Sequence, residues 1–373
     1  MPATLLPTSA HALFDAPLAD REGALALALL PRVGPRTWRA LLTAHAGDPN
    51  AAAATHPAST PEAWAAARRD ARATFALAAA RGYTLHLPGD PGYPPPLLDL
   101  PDPPVTLWTA GDPAALARTP RVAVVGTRAN TALGERITRR LVQALAESGA
   151  SVVSGMARGI DTVAHIAALA ADLPTVAVLG TGVDVPYPRE NARLYDRIVA
   201  ASIVVAELPP GTAATKGAFP RRNRVVAALA DVVVVVEAPL KSGALITAGM
   251  AADLGRTVAA VPGSVEAPTA AGTNLLLRDG AQLLADPCDI LGLIGRATPT
   301  ASTTATASAA TEPAALTDDE RAVWRALAEP APDLDTLTDR AGLTPRRCAA
   351  ALTALEMRDL VATELSGEVR RTQ

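Results

Sequence analysis

The residues best suited to chemistry in this sequence are cations set among small groups. The segment Lys216-Gly217-Ala218-Phe219-Pro220-Arg221-Arg222-Asn223-Arg224 holds four cations in nine residues, with no acid among them. An aromatic ring between cations lets a protein stack one base while holding a nucleic-acid backbone. Pro220 suits a helix start, which puts Lys216 and Phe219 on a loop and Arg222 and Arg224 in the first helical turn. Cations there oppose the helix dipole, so the arrangement costs stability unless an anion is present. Only two lysines occur, Lys216 and Lys241; every other basic residue is arginine. A lysine that survives such a bias can act as a compact point charge where a guanidinium does not fit.

Further small and basic residues follow apolar runs: Gly126-Thr127-Arg128, Ser154-Gly155 with Arg158, Gly180-Thr181-Gly182, Lys241 and Pro262-Gly263-Ser264. The runs read as strands over 122–126, 151–155, 175–180, 203–207, 232–237 and 257–262. Helical patterns fill 133–147, 161–171, 189–200, 222–229 and 245–254. Nearly unbroken β-branched strands imply a sheet covered on both faces. Their strict alternation with helices implies an α/β fold with a Rossmann-like, doubly wound parallel sheet. Ligands of such sheets sit beyond the carboxyl ends of the strands. Glycines there admit close approach, and helix N-termini offer free amides, so the crevice should favour phosphate. Arg128, Arg158 and Lys241 converge on that face with the segment 216–224.

The same residues exclude several enzymes. The loop after the first strand puts Arg128 where a dinucleotide fold needs its second glycine, and no acid closes the second strand, against a nicotinamide dehydrogenase. The sequence contains no H-E-x-x-H, no aspartate-rich metal loop and no G-x-S-x-G elbow, so no catalytic set, metal or cofactor is expected. His165 lies inside a helical pattern and reads as a packed residue. Asp161 reads as a helix cap or loop anchor. Glu207 and Glu237 end strands and read as partners for neighbouring basic side chains.

A net charge of -3 and a pI near 6.0 exclude a protein basic all over, so anion binding must be local. Cys288 and Cys348 form no CxxC pair and no disulfide framework, which points to a reducing compartment. With no basic segment ahead of an apolar run at the start, and no long uncharged apolar stretch, the expectation is a soluble, cytoplasmic protein without a membrane partner.

Four regions follow. Residues 1–80 are alanine-rich and helical, with a turn at Gly34 and a helix from near Pro35. Arg32 stands at the first glycine of a helix-hairpin-helix motif, so this is half of that motif or an ordinary helical corner. Residues 81–295 form the sheet domain, opened by a strand over 83–87 and a proline-rich stretch over 88–104. Residues 296–314 are Ala/Thr/Ser-rich and read as a flexible linker. Residues 315–373 have the outline of a winged helix. Its helices span 316–329, with Thr317 and Glu320 as a capping box, then 334–341, ended by Gly342, and 345–360; a hairpin follows over 361–369 around Ser366-Gly367.

Several of these motifs resemble the DNA processing protein A family (DprA, also called Smf). They are 122–128, Ser154-Gly155-Met156-Ala157-Arg158-Gly159-Ile160-Asp161, 219–224, Lys241-Ser242-Gly243-Ala244-Leu245-Ile246-Thr247-Ala248, and 258–263 with Gly272-Thr273-Asn274. The resemblance covers roughly 83–293 in order; the N-terminal helices and the winged helix also look like the family's accessory domains. It implies a non-enzymatic homodimer that binds and protects single-stranded DNA and helps load the RecA recombinase in natural transformation (competence) and DNA recombination. Carried over by position, the DNA-binding residues are Gly126, Thr127, Arg128, Ser154, Gly155, Arg158, Lys216, Phe219, Arg222, Asn223, Arg224, Lys241, Ser242 and Gly243. Thr127 replaces the usual serine and keeps the hydroxyl.

The rival reading is a nucleotide hydrolase similar to the lysine-decarboxylase-like phosphoribohydrolases. Their P-G-G-x-G-T-x-x-E loop is not matched by Glu237-Ala238-Pro239-Leu240-Lys241-Ser242-Gly243. The winged helix reads as a protein contact or weak duplex contact, since Asp333, Asp335 and Asp339 precede Arg346-Arg347. A dimer surface is suspected near Leu275-Leu276-Leu277 or Leu283-Leu284.

Overall fold

The computed structural model describes residues 18–146, 148–215, 217–295, 316–327, 331, 333–356, 358, 360–363 and 369–371. They divide into two compact units, one ending at 295 and one beginning at 316.

The first unit opens with four helices, α1 (Arg21–Leu29), α2 (Pro35–Ala44), α3 (Pro49–Thr55) and α4 (Pro61–Ala80). Asp20, Asp48 and Thr60 cap α1, α3 and α4 by accepting from amides of the first turn. Trp38 is fully buried and donates its indole N–H to the Ala24 carbonyl at 2.7 Å, which locks α2 on α1. At the corner between them the left-handed residue is Arg32 (φ 67°), while Gly34 is extended. The arginine thus takes the conformation a glycine would adopt without strain. Arg21–Asp90 (2.6 Å) and Arg81–Asp184 (3.1 Å) tie these helices to the sheet.

Nine strands make one sheet in the order β1-β2-β6-β5-β4-β3-β7-β8-β9. They are β1 (Thr84–His86), β2 (Leu107–Gly111), β3 (Arg121–Val125), β4 (Ser151–Ser154), β5 (Thr175–Gly182), β6 (Ile203–Leu208), β7 (Val232–Val235), β8 (Thr257–Ala260) and β9 (Gln282–Leu283). From β3 to β9 all pairings are parallel, while β1 and β2 add an antiparallel edge. The helices of this part are α5 (Pro113–Ala117), α6 (Ala132–Ala146), α7 (Ile160–Ala170), α8 (Ala192–Ala201), α9 (Ala218–Leu229), α10 (Gly243–Asp253), α11 (Ala271–Arg278) and α12 (Ile290–Leu293).

Alternate residues of the central strands enter two separate cores. Val122 and Val124 pack with Leu141 and Leu145 of α6 and with Ile160 of α7. Ala123 and Val125 pack with Val225 and Val226 of α9 and with Ala244 and Ala248 of α10. Both sheet faces are covered, as the unbroken apolar strands require. The chain winds outward from β3 through β4 and β5 to β6, then returns beside β3 as β7. The β3–β7 border is therefore the topological switch point, where the sheet topology opens a crevice for ligands.

In the second unit, α13 (Asp318–Ala326), α14 (Leu334–Ala341) and α15 (Pro345–Glu356) pack with the hairpin β10 (Val361–Thr363) and β11 (Val369–Arg371). Thr317 and Glu320 form the capping box, and Gly342 ends α14 in the left-handed conformation. Val323, Trp324, Leu337, Cys348, Leu352, Leu355 and Val361 make its core. The expected hairpin turn and the expected linker lie outside the described residues. Among the described residues, no helix is long and apolar enough to cross a membrane.

Candidate nucleic-acid interface

A cavity of about 410 Å³ opens at the β3–β7 switch point. Gly126, Thr127 and Arg128 form one wall, Gly155 and Ala157 another, and Lys241, Ser242 and Gly243 a third, with Arg222 and Asn223 of α9 between them. The first wall is pinned from both sides. Thr127 N donates to the Glu237 carbonyl at 2.7 Å, and Ile160 N donates to the Thr127 carbonyl at 3.2 Å.

Three glycines serve this internal packing rather than a bare floor. A Cβ on Gly126 would strike Ile160 and the Glu237 carbonyl, one on Gly155 would enter the Arg222 guanidinium, and one on Gly159 (φ 78°) would meet the Thr127 carbonyl. A Cβ on Gly243, by contrast, would meet only the Asn223 amide, at 4.0 Å.

Charge is layered. At the bottom, Arg222 is buried and donates to the Gly155 and Val178 carbonyls, the latter at 2.7 Å. Both bonds leave one nitrogen, Nη1, so backbone oxygen offsets the buried charge there, while Nε has no hydrogen-bond partner among the described residues. Beside it the buried Asp161 accepts from Gly155 N (3.1 Å) and Ala157 N (3.3 Å), which anchors the loop after β4. Burial pushes the Asp161 carboxyl above its ordinary range, opposed by the guanidinium of Arg222 and those two amides. Above this layer, Arg128 and Lys241 are exposed and make no ion pair among the described residues. The cavity lining carries these two cations and Arg222 against the single carboxylate of Asp161. Ser242 caps α10, accepting from Ala244 N at 3.2 Å, so the positive end of that helix dipole also faces the cavity.

At the rim, the Arg128 guanidinium stands 5.7 Å from the centre of the Phe219 ring, a cation–π geometry. Tyr187 packs on Phe219 with centroids 5.1 Å apart and planes tilted by 40°. Sequence reasoning missed Tyr187; its only signal was a position a few residues beyond the small-residue end of β5.

Several expected residues are placed differently. α9 starts at Ala218, so Phe219 lies in its first turn and Pro220 is its third residue, where a missing N–H still costs nothing. Arg222 and Arg224 accordingly sit one turn in, and the dipole cost inferred for them is met within the protein. Arg224 is buried away from the cavity, donating to Glu207 at 2.6 Å and to the Asp102 carbonyl at 2.8 Å. Arg158 pairs with Glu190 at 2.7 Å on the surface. Ser154 is fully buried, and its hydroxyl donates to the Val124 carbonyl at 2.7 Å. Asn223 donates to the Gly243 carbonyl at 3.3 Å and so links α9 to α10. Lys216 lies outside the described residues.

Glu207 holds Arg224 and Arg221, as its strand-end position implied. Glu237 instead accepts from the backbone and hydroxyl of Thr131 at the start of α6 rather than from a basic side chain. His165 is buried with Nδ1 2.7 Å from the Thr175 hydroxyl, and burial with the nearby Arg222 charge lowers its pKa to about 3. Among the described residues, no cluster of side chains could hold a metal ion.

Comparison with known proteins gives a consistent kinship. A family model described as DNA recombination-mediator protein A matches residues 84–295, and one described as DprA winged helix domain matches 307–371. The chain is 44% identical over 260 residues to the putative DNA processing protein DprA of Mycobacterium tuberculosis, a match spanning 69% of this chain and 66%, just under two thirds, of that protein. It is 43% identical over 202 residues to DNA processing protein DprA of Streptococcus pneumoniae, covering 54% of this chain and 71% of that one. The solved structure of the pneumococcal protein superposes with a TM-score of 0.61 at 31% identity, over 77% of this chain and 98% of that chain. A structure of DNA processing protein A from Helicobacter pylori, described for its single-stranded DNA binding mode, gives 0.52 at 31% identity, over 56% of this chain and 94% of that chain. With its sheet domain and its winged helix both matched, the chain belongs to the DNA recombination-mediator protein A family.

Proposed function

We propose that this protein binds single-stranded DNA at the switch-point cavity, without catalysis, and delivers the covered strand to a RecA-type recombinase during recombination or uptake of DNA. The observation that carries this reading is the pairing of two unpaired cations, Arg128 and Lys241, on one small cavity, with the Phe219 ring beside Arg128 and the Tyr187 ring packed on Phe219. The cations and the α10 N-terminus hold phosphates, and a nucleotide enters the cavity between them. Groups of this kind meet backbone and ring faces common to all bases, so binding is tolerant of sequence.

The winged helix plays a lesser part in DNA binding. Arg347 of α15 is held by Asp319 through two hydrogen bonds, at 2.9 and 2.5 Å, which leaves it less available to a duplex. Homodimer formation belongs to the same proposal. Of the two suspected dimer patches, Leu275-Leu276-Leu277 is half-buried, whereas Leu283 is exposed on the edge strand β9 with Leu284 buried beneath it, so the edge is the better candidate.

The test is fluorescence anisotropy with a labelled twenty-nucleotide oligothymidine and the matching duplex at moderate salt. Arg128→Ala should weaken single-strand binding by about tenfold or more, the loss of one charge-assisted phosphate contact. Unchanged affinity would reject the cavity as the site. Release of free base from nucleoside monophosphates would reject the non-enzymatic reading.

A further inference from the structure

Phe219 is the ring that sequence reasoning assigns to base stacking, yet its surroundings are already taken. The Arg128 guanidinium sits 5.7 Å from its centre and the Tyr187 ring 5.1 Å from it. The ring is half-buried, and these two neighbours share what is left of it with any base. Tyr187 is different: it is 43% exposed, and its hydroxyl makes no hydrogen bond among the described residues. Its ring is therefore held from one side by an aromatic partner and is open on another. Two residues further on, Arg189 is exposed and makes no ion pair among the described residues.

We infer that Tyr187 is a second stacking surface, on which the base next to the cavity-bound nucleotide lies, with Arg189 close to the phosphate between or beyond them. Arg128, Phe219 and Tyr187 then form one ladder, running from the end of β3 across the first turn of α9 to the loop after β5. Phe219 acts as the middle rung that positions the outer two. A π face accepts any base, so this subsite adds affinity without sequence preference. The inference rests on the single-strand reading above and adds to it a defined path for the strand.

Tyr187→Leu keeps apolar bulk against Phe219 but removes the π face, whereas Tyr187→Phe keeps the ring. With the labelled oligothymidine and the full-length protein, Tyr187→Leu should bind about fivefold to a hundredfold more weakly, the range found for loss of one stacked base. Tyr187→Phe should restore most of that loss. Circular dichroism of both variants checks that they fold alike. Irradiation of an oligonucleotide carrying 5-iodouracil should place an adduct on the peptide containing Tyr187. Wild-type affinity in Tyr187→Leu, or adducts confined to other peptides, would overturn the inference while leaving the cavity intact. Undiminished binding by Arg128→Ala would instead overturn the cavity assignment.

Discussion

Two arginines at the same cavity do different work, and their surroundings say which is which. Arg222 is buried against the Gly155 and Val178 carbonyls beside Asp161, while Arg128 stands in solvent over a ring. Replacing Arg222 by methionine leaves carbonyl oxygens without donors and a buried acid without its nearby cation. Stability should drop by about 3 kcal/mol, the scale for breaking charge-assisted bonds in a closed site. Thermal or urea unfolding measures this, and a loss under 1 kcal/mol would contradict the structural role. Arg128→Ala should leave the unfolding midpoint nearly unchanged.

His165 gives a second residue-scale test. Its folded pKa of about 3 lies below the unfolded value near 6.5, so the unfolded chain binds the extra proton. Stability is then full above pH 6.5 and falls as pH drops towards 3. At pH 5 the contribution is set by the unfolded value alone and amounts to about 2 kcal/mol relative to pH 8. His165→Asn should flatten that part of the curve between pH 7 and pH 4; an unchanged slope would show that other groups carry it.

At the scale of elements, α9 organises the site because its successive side chains face different tasks. Phe219 meets the rim, Arg222 the floor, Asn223 the turn into α10, and Arg224 the end of β6. The Arg224–Glu207 pair is nearly closed to solvent, with side-chain exposures of 7% and 13%. Arg224→Ala should therefore cost about 3 kcal/mol in stability while the affinity of the folded protein for single strands stays within twofold. A large affinity loss in a stably folded variant would return Arg224 to the binding set.

These elements also show what the chain discloses before folding. The six apolar strands and the first unit's helices between them were legible because burial on both faces demands uninterrupted β-branched runs. β2 was not, since Leu107–Gly111 follows a proline-rich stretch and includes small residues, and two-residue β9 carries no periodic signal. The cations of the site were legible as types, but not their duties. Glu207 for Arg224, Glu190 for Arg158 and the Val178 carbonyl for Arg222 are all brought up by tertiary contacts distant in the sequence. Pro220 misled about the start of α9 because proline is tolerated anywhere in a first turn.

At the scale of the whole molecule, a net charge of -3 means that no general field draws DNA in. Attraction must come from the few cations left unpaired at the strand ends. Arg128 and Lys241 qualify on geometry, and the sequence adds Lys216 two residues before α9. About three phosphate contacts from these cations alone correspond to a slope near −2 for the logarithm of the binding constant against the logarithm of salt concentration, at roughly −0.7 per contact on single strands, and a phosphate held by Arg189 would steepen it by about 0.7 more. Raising salt from about 50 to 200 mM should thus weaken binding by about twentyfold. Arg128→Ala and Lys241→Ala should each make the slope shallower by about 0.7, and the double variant by about 1.4, because separate phosphates release separate counterions. Arg224→Ala should leave the slope where it was, since its charge is already neutralised by Glu207. A steep wild-type slope that survives the double variant would move the electrostatic footprint away from the switch point to some other face of the molecule.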